Sequence, residues 1–255
     1  MDQSLSTPSI HGILLDIEGT VSPLAFVHEI LFPYARSHVR DFLLEQFGSG
    51  DIAADLRALR AEHAVDVEQK LQPPPLSNGP RNAEIDSIAA YVSWLIDRDR
   101  KPVGLKSLQG KIWRSGYLDG TLKAQIFSDV PQAIEGWRRL GLQISIFSSG
   151  SSLAQQLFFA HTVSGDLTEY IDNYFDTTIG SKTAVESYLR IATALVLRPM
   201  EVLFISDVVA ELDAASNAGL QTLLSIRPGN RPLAFPSRHQ IIQNFDEISL
   251  LVSSS

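Results

Sequence analysis

Six side chains of this sequence have the types and places that phosphoryl transfer needs: Asp16, Glu18, Ser148, Ser149, Lys182 and Asp207. Asp16 and Glu18 stand two apart, directly after the apolar run Ile13-Leu14-Leu15 and directly before Gly19-Thr20. A carboxylate can attack phosphorus and form an aspartyl-phosphate. A second acid can protonate the leaving alcohol and later deprotonate water. A hard cation needs oxygen ligands, commonly carboxylates together with substrate phosphate. The remaining phosphate oxygens need hydroxyl, backbone and cationic donors.

Each part also fits a purely structural role. Ser148-Ser149-Gly150 reads as a turn and helix cap, since serine favours both. Lys182 reads as a solvated surface lysine. Asp207 reads as the N-cap of the next helix, and Glu211 as a solvated helix residue. Chain order separates the readings, because four weak signals fall at strand ends in the sequence a phosphotransfer site requires.

The elements that must position these residues are legible from periodicity. Ile13-Leu14-Leu15 is a buried strand, because continuous apolar runs suit a parallel sheet covered on both faces. The spacing then turns helical at Val27, Ile30, Leu31 and Tyr34. It is interrupted by Pro33 and resumes at Val39, Phe42 and Leu43. Ile52 to Val67 and Ile85 to Ile96 predict two further helices, separated by the proline-rich loop Gln72–Pro80. Leu105 to Trp113 predicts one more short helix. No strand is expected between about residues 25 and 125.

Alternation then resumes. Asp129 as cap and Pro131 open a helix that stops at Gly141. Strands follow at Leu142–Phe147, Tyr174–Asp176, Val202–Ile205 and Gln221–Ser225. The helices between them are Leu153–Phe159, Ala184–Leu197 and Val208–Ala218. The expected fold class is α/β, a doubly wound parallel sheet with an inserted all-helical block. Residues 1–24 and 126–255 form the core, and residues 25–125 form the insert, placed as a lid beside the Asp16 edge.

Composition excludes several functions. The chain has 255 residues, a formal net charge of −8 and no cysteine. An acidic surface repels nucleic acid and anionic membrane. Disulfides, thiolate metal sites and cysteine nucleophiles are absent. Met1–Ser9 has neither a basic n-region nor an apolar h-region, so no secretory signal is expected. No apolar run reaches the length of a membrane helix.

Asp16-Ile17-Glu18-Gly19-Thr20, Ser148, Lys182 and Asp207 resemble the four motifs of the haloacid dehalogenase superfamily of phosphatases, in their chain order. The usual first motif carries Asp where this chain has Glu18. That departure, His28–Arg36, Ser148-Ser149 and Val185-Glu186-Ser187-Tyr188 together resemble the enolase-phosphatase family of methionine salvage. The resemblance runs from about Ile13 to about Asn230.

The resemblance implies a Rossmann-like core of haloacid dehalogenase type with a helical cap. It implies Asp16 as nucleophile and Mg2+ ligand, and Glu18 as general acid/base with its backbone carbonyl on the metal. Asp207 would be the third protein ligand, with one Mg2+ per chain. Ser148, Ser149 and Lys182 would bind the substrate phosphate. The implied substrate is 2,3-diketo-5-methylthiopentyl-1-phosphate, enolised and then dephosphorylated to 1,2-dihydroxy-3-keto-5-methylthiopentene. A monomer in the cytoplasm is expected, with the nucleus also compatible, acting on a small phosphorylated molecule and with no nucleic-acid or membrane partner. Two other readings stay open: a general phosphomonoesterase of the same superfamily, and an inactive phospho-ligand-binding scaffold.

Overall fold

The computed structural model describes residues 10–232 and 237–248. The polar Met1–Ser9 and the serines at 253–255 lie outside the described residues. Two compact units are present: Val27–Leu122, and a unit built from the chain on either side of it.

In the two-segment unit, six parallel strands form one sheet in the order β3-β2-β1-β4-β5-β6. They are β1 (Gly12–Leu15), β2 (Gln143–Phe147), β3 (Asn173–Phe175), β4 (Val202–Ser206), β5 (Gln221–Ser225) and β6 (Gln240–Ile242). The apolar runs of β1, β2 and β4 are buried on both faces, as continuous hydrophobic strands of a covered parallel sheet must be. Leu15 lies level with Ile146 of β2 and Ile205 of β4. The strand order reverses at β1, so the crevice beyond its carboxyl end is the topological switch point. The register brings Asp16, Ser148 and Asp207 to that one edge.

Helices Val130–Arg139, Ser152–Ala160, Val185–Leu195 and Val209–Asn217 alternate with these strands. Tyr188, Ile191, Leu195, Phe204, Leu212 and Leu224 form part of a continuous buried core. Asp129 holds the N-cap position of the first of these helices but does not cap it with its side chain. Its side chain makes no cap hydrogen bond and instead accepts from the Phe245 amide and pairs with Arg227. β6 has no strong sequence signal, because two of its three residues are exposed.

The Val27–Leu122 unit is helical among its described residues. It contains α1 (Phe32–Gln46), α2 (Gly50–Glu68), α3 (Arg81–Asp97) and α4 (Val103–Leu118). Pro33 lies in the first turn of α1, at the point where a preceding helical run changes from π to α geometry. A π-helical segment, Phe26–Leu31, precedes it. α4 runs beyond the expected Leu105–Trp113 span, taking in Val103 and Gly104 at its start and Arg114 to Leu118 at its end. Asp66 is fully buried in this unit, yet Tyr91 donates to it at 2.6 Å and Arg100 pairs with it, so its charge is met. No helix of the described residues is long and apolar enough to cross a membrane.

Candidate active site

Asp16 follows β1 and is buried, with its amide donating to the Ile205 carbonyl at 3.0 Å. The turn after it is closed by Ser22 N to Ile17 O at 2.9 Å and Gly19 N to Ser22 O at 2.7 Å. Gly19 holds φ +76°, and a Cβ there would lie 2.6 Å from Asp207 Cγ and 3.1 Å from Asn230 Oδ1. Only glycine adopts this backbone freely and also lets Asp207 close against it. Glu18, half-buried, accepts from Ser148 Oγ at 3.2 Å.

Ser148 is buried, and its Oγ also accepts from the Gly150 amide at 3.1 Å. The cap of the following helix is Ser151, which accepts from the Ala154 amide at 3.3 Å. The N-cap of this helix is therefore Ser151 and not Ser148. Gln155, also buried, donates Nε2 to the Gly150 and Phe175 carbonyls, each at 2.9 Å, and so ties this loop to the end of β3.

Lys182 is not a solvated lysine: it is 9% exposed, its ammonium pairs with Asp16, and it reaches Glu211 at 2.8 Å. The Tyr188 hydroxyl donates to its backbone carbonyl at 2.6 Å and fixes the turn that presents it. Glu211 likewise departs from the solvated reading. It is 8% exposed and accepts from Ser206 Oγ at 3.0 Å. Asp207 is not a helix cap: that position belongs to Val208, whose amide goes to Ser206 Oγ at 3.1 Å.

Asp16 and Glu211 contact the Lys182 ammonium, and Glu18 and Asp207 are near enough to act on the same cluster electrostatically. Burial raises the pKa of Asp16 well above the usual carboxylate range; Lys182 opposes the shift, and the other three carboxylates add to it. Asp207 is pushed up to about 6, chiefly by burial and then by Glu211. Burial opposes the charge on Lys182, but Asp16 and Glu211 outweigh it and hold its pKa above the ordinary lysine value.

Such a cluster lacks positive charge and offers hard oxygens, the donor set of a divalent cation such as Mg2+. Among the described residues no three His, Asp or Glu side chains form a ready cage. Mg2+ is commonly held by one or two carboxylates plus backbone, water and substrate oxygens rather than by an all-protein cage. Asp16 and Asp207, with a backbone oxygen, fit that requirement. Gly19→Ala should lower the melting temperature by about 3–8 °C through backbone strain and the displaced Asp207. Calorimetric scans with and without Mg2+ check this, and an unshifted melting temperature would contradict it.

The family model of haloacid dehalogenase-like hydrolases matches residues 10–219. An enolase-phosphatase E1 of Synechococcus elongatus is 49% identical over 94% of this chain and 98% of its own length. The chain belongs to the enolase-phosphatase E1 family. A Populus trichocarpa protein named as a probable bifunctional methylthioribulose-1-phosphate dehydratase/enolase-phosphatase E1 is 42% identical. Its match covers 92% of this chain and 46% of that protein. Among solved structures, the Unknown transcript 4 protein of Saccharomyces cerevisiae superposes with a TM-score of 0.74 at 33% identity, over 93% of this chain and 99% of that one. The α/β fold of haloacid dehalogenase type is therefore shown both by the sheet and by kinship. Glu211, Gln155, Arg227 and Asn230 were not singled out as site residues from sequence. The one available signal was Glu211's place a helical turn after Asp207.

Proposed function

We propose that this chain converts 2,3-diketo-5-methylthiopentyl-1-phosphate to 1,2-dihydroxy-3-keto-5-methylthiopentene and phosphate in methionine salvage, with one Mg2+ bound. The observation that carries the reading is the contact between Glu18 and Ser148 at the edge where Asp16 lies. It sets an acid/base group beside a hydroxyl suited to the transferred phosphate. The plant relative supports the substrate, because dehydrating a ketose 1-phosphate yields a 2,3-diketo 1-phosphate.

The chemistry then follows from named atoms. Enolisation moves a proton from carbon 1 of the substrate to the oxygen of carbon 2. A carboxylate oxygen of Asp16 attacks phosphorus and the bond to the substrate oxygen breaks, while Glu18 supplies the proton that oxygen needs. Water then attacks the aspartyl-phosphate, Glu18 takes its proton, and Asp16 is regenerated. Ser148, Ser149 and Lys182 hold the phosphate oxygens, and Lys182 offsets charge on Asp16. Hydrolases of this superfamily are in general Mg2+-dependent. The bound cation, held by Asp16, Asp207 and the Glu18 carbonyl, would neutralise phosphoryl charge and polarise a carbonyl. The helical block, placed at 25–125 from sequence, is the proposed cap, and a cytoplasmic monomer is the proposed state.

The decisive assay follows acireductone absorbance from the diketo phosphate with and without Mg2+. Turnover that requires Mg2+ supports the reading. Release of phosphate from simple monoesters but not from this substrate would favour a general phosphomonoesterase. If Mg2+ with beryllium fluoride gives no stabilisation, the scaffold reading gains. Glu18 is one methylene longer than aspartate, which extends its reach by about 1 Å at hydrogen-bond range. Glu18→Asp should then lose enolisation more than hydrolysis of a simple monoester, by about 10-fold or more. Equal losses would refute the role given to its length.

A further inference from the structure

We propose that Arg227 and Asn230, on the segment after β5, clamp the Asp16–Thr20 turn and thereby set its affinity for the divalent cation. The inference rests on the metal reading above. The two side chains take the carbonyls of consecutive residues. Asn230 Nδ2 donates to Gly19 O at 2.9 Å and to Ser225 O at 3.2 Å, and Arg227 Nε donates to Thr20 O at 3.2 Å. Two carbonyl partners fix the orientation of the Asn230 amide, because only its nitrogen can donate.

Arg227 is itself immobilised. It is 4% exposed and lies against the rings of Phe127 and Phe245, at 4.8 and 4.5 Å. Its Nη1 donates to Gln243 O at 3.0 Å and pairs with Asp129 at 2.8 Å. The same Asp129 oxygen accepts from the Phe245 amide at 2.7 Å. The guanidinium thus has one position, and so does the Thr20 carbonyl it holds.

What the clamp leaves open is specific. Backbone amides take the carbonyls of Ile17, Val21 and Ser22. Arg227 and Asn230 take those of Thr20 and Gly19. Among the described residues no backbone amide is directed to the carbonyl of Glu18. With the carbonyls of Ile17, Gly19 and Thr20 committed, the Glu18 oxygen between them is left for a hard cation. Asn230 also flanks Asp207 across Gly19, and its Oδ1 is buried without a partner beside the two. Neither residue need touch substrate; both act by positioning the turn. Groups that orient metal ligands in this way typically alter affinity by about 10- to 100-fold when removed.

The test is titration of Mn2+ alone into the phosphate-free full chain, followed by the electron paramagnetic resonance of free Mn2+. The variants are Asn230→Ala, Arg227→Lys, and Arg227→Met combined with Asp129→Asn, so that no carboxylate is left buried and unpaired. Asn230→Ala is expected to bind Mn2+ about 10-fold more weakly. Its kcat should fall while KM stays within about two-fold, and its metal-free melting temperature should stay near that of the wild type. Arg227→Lys, which keeps a donor for Thr20, should retain more affinity than the double variant. Wild-type affinity in Asn230→Ala overturns the clamp, and that variant decides the question if the double variant does not fold. A wild-type chain that does not bind Mn2+ overturns the clamp and the metal reading together.

Discussion

Asp16→Asn is expected to keep the fold and to lose phosphate release by about 10^4- to 10^6-fold, the range seen when a nucleophile is removed from a machine whose other parts remain. The substitution preserves shape. The Asp16 amide still donates to Ile205, and Lys182 still has Glu211 as a partner. What disappears is the carboxylate proposed to bond to phosphorus. Rapid acid quench of the wild type should give a hydroxylamine-cleavable aspartyl-phosphate, and the variant none. Activity within 10-fold of wild type would remove Asp16 from the nucleophile's role.

Asp207→Asn should remove most of the response of activity to Mg2+, because the carboxylate proposed to hold the cation is gone. The same substitution should stabilise the metal-free protein. Asp207 titrates near 6 in its buried site, above the ordinary aspartate value near 3.8. An acid whose folded pKa is raised favours the protonated native state. Its contribution is complete below about 3.8 and is lost as pH rises through about 6. At pH 7.5 the metal-free wild type therefore carries the full cost of the extra charge, and the amide does not. The expected gain in melting temperature is about 3–8 °C at pH 7.5, shrinking towards pH 5. Mg2+ should raise the melting temperature of the wild type and leave the variant almost unmoved. If Mg2+ stabilises both equally, Asp207 is not a ligand.

The strand ends were legible because burial on both faces leaves an unbroken apolar run. Ile13-Leu14-Leu15 and Val202-Leu203-Phe204-Ile205 both stop at polar residues that the fold places at one edge. Side chains whose role depends on a distant partner were not legible. Glu211 has the spacing of a solvated helix residue, and only Lys182, arriving from another loop, makes it a buried ion-pair partner. Asp129 has the position of a cap, but its carboxylate is claimed by Arg227, about 100 residues later. Arg227-Pro228-Gly229-Asn230 reads as an ordinary turn, since its two donors face carbonyls more than 200 positions away. Local pattern carried the scaffold, and pairwise electrostatics between remote segments carried much of the rest.

The central place of β1 has a consequence for biosynthesis. Ile13 pairs with Ile144 on one side and with Leu203 on the other. At elongation rates of about 5–20 residues per second, roughly 10–40 s separate the emergence of β1 from that of its second neighbour. The helices of Val27–Leu122, with short-range contacts among themselves, are complete well before then. Non-local parallel pairing is slow and leaves apolar strands exposed meanwhile. Nascent chains arrested before Val202 should therefore bind holdase chaperones through Ile13-Leu14-Leu15, and the seat of Asp16 should be among the last parts of the enzyme to form on the ribosome.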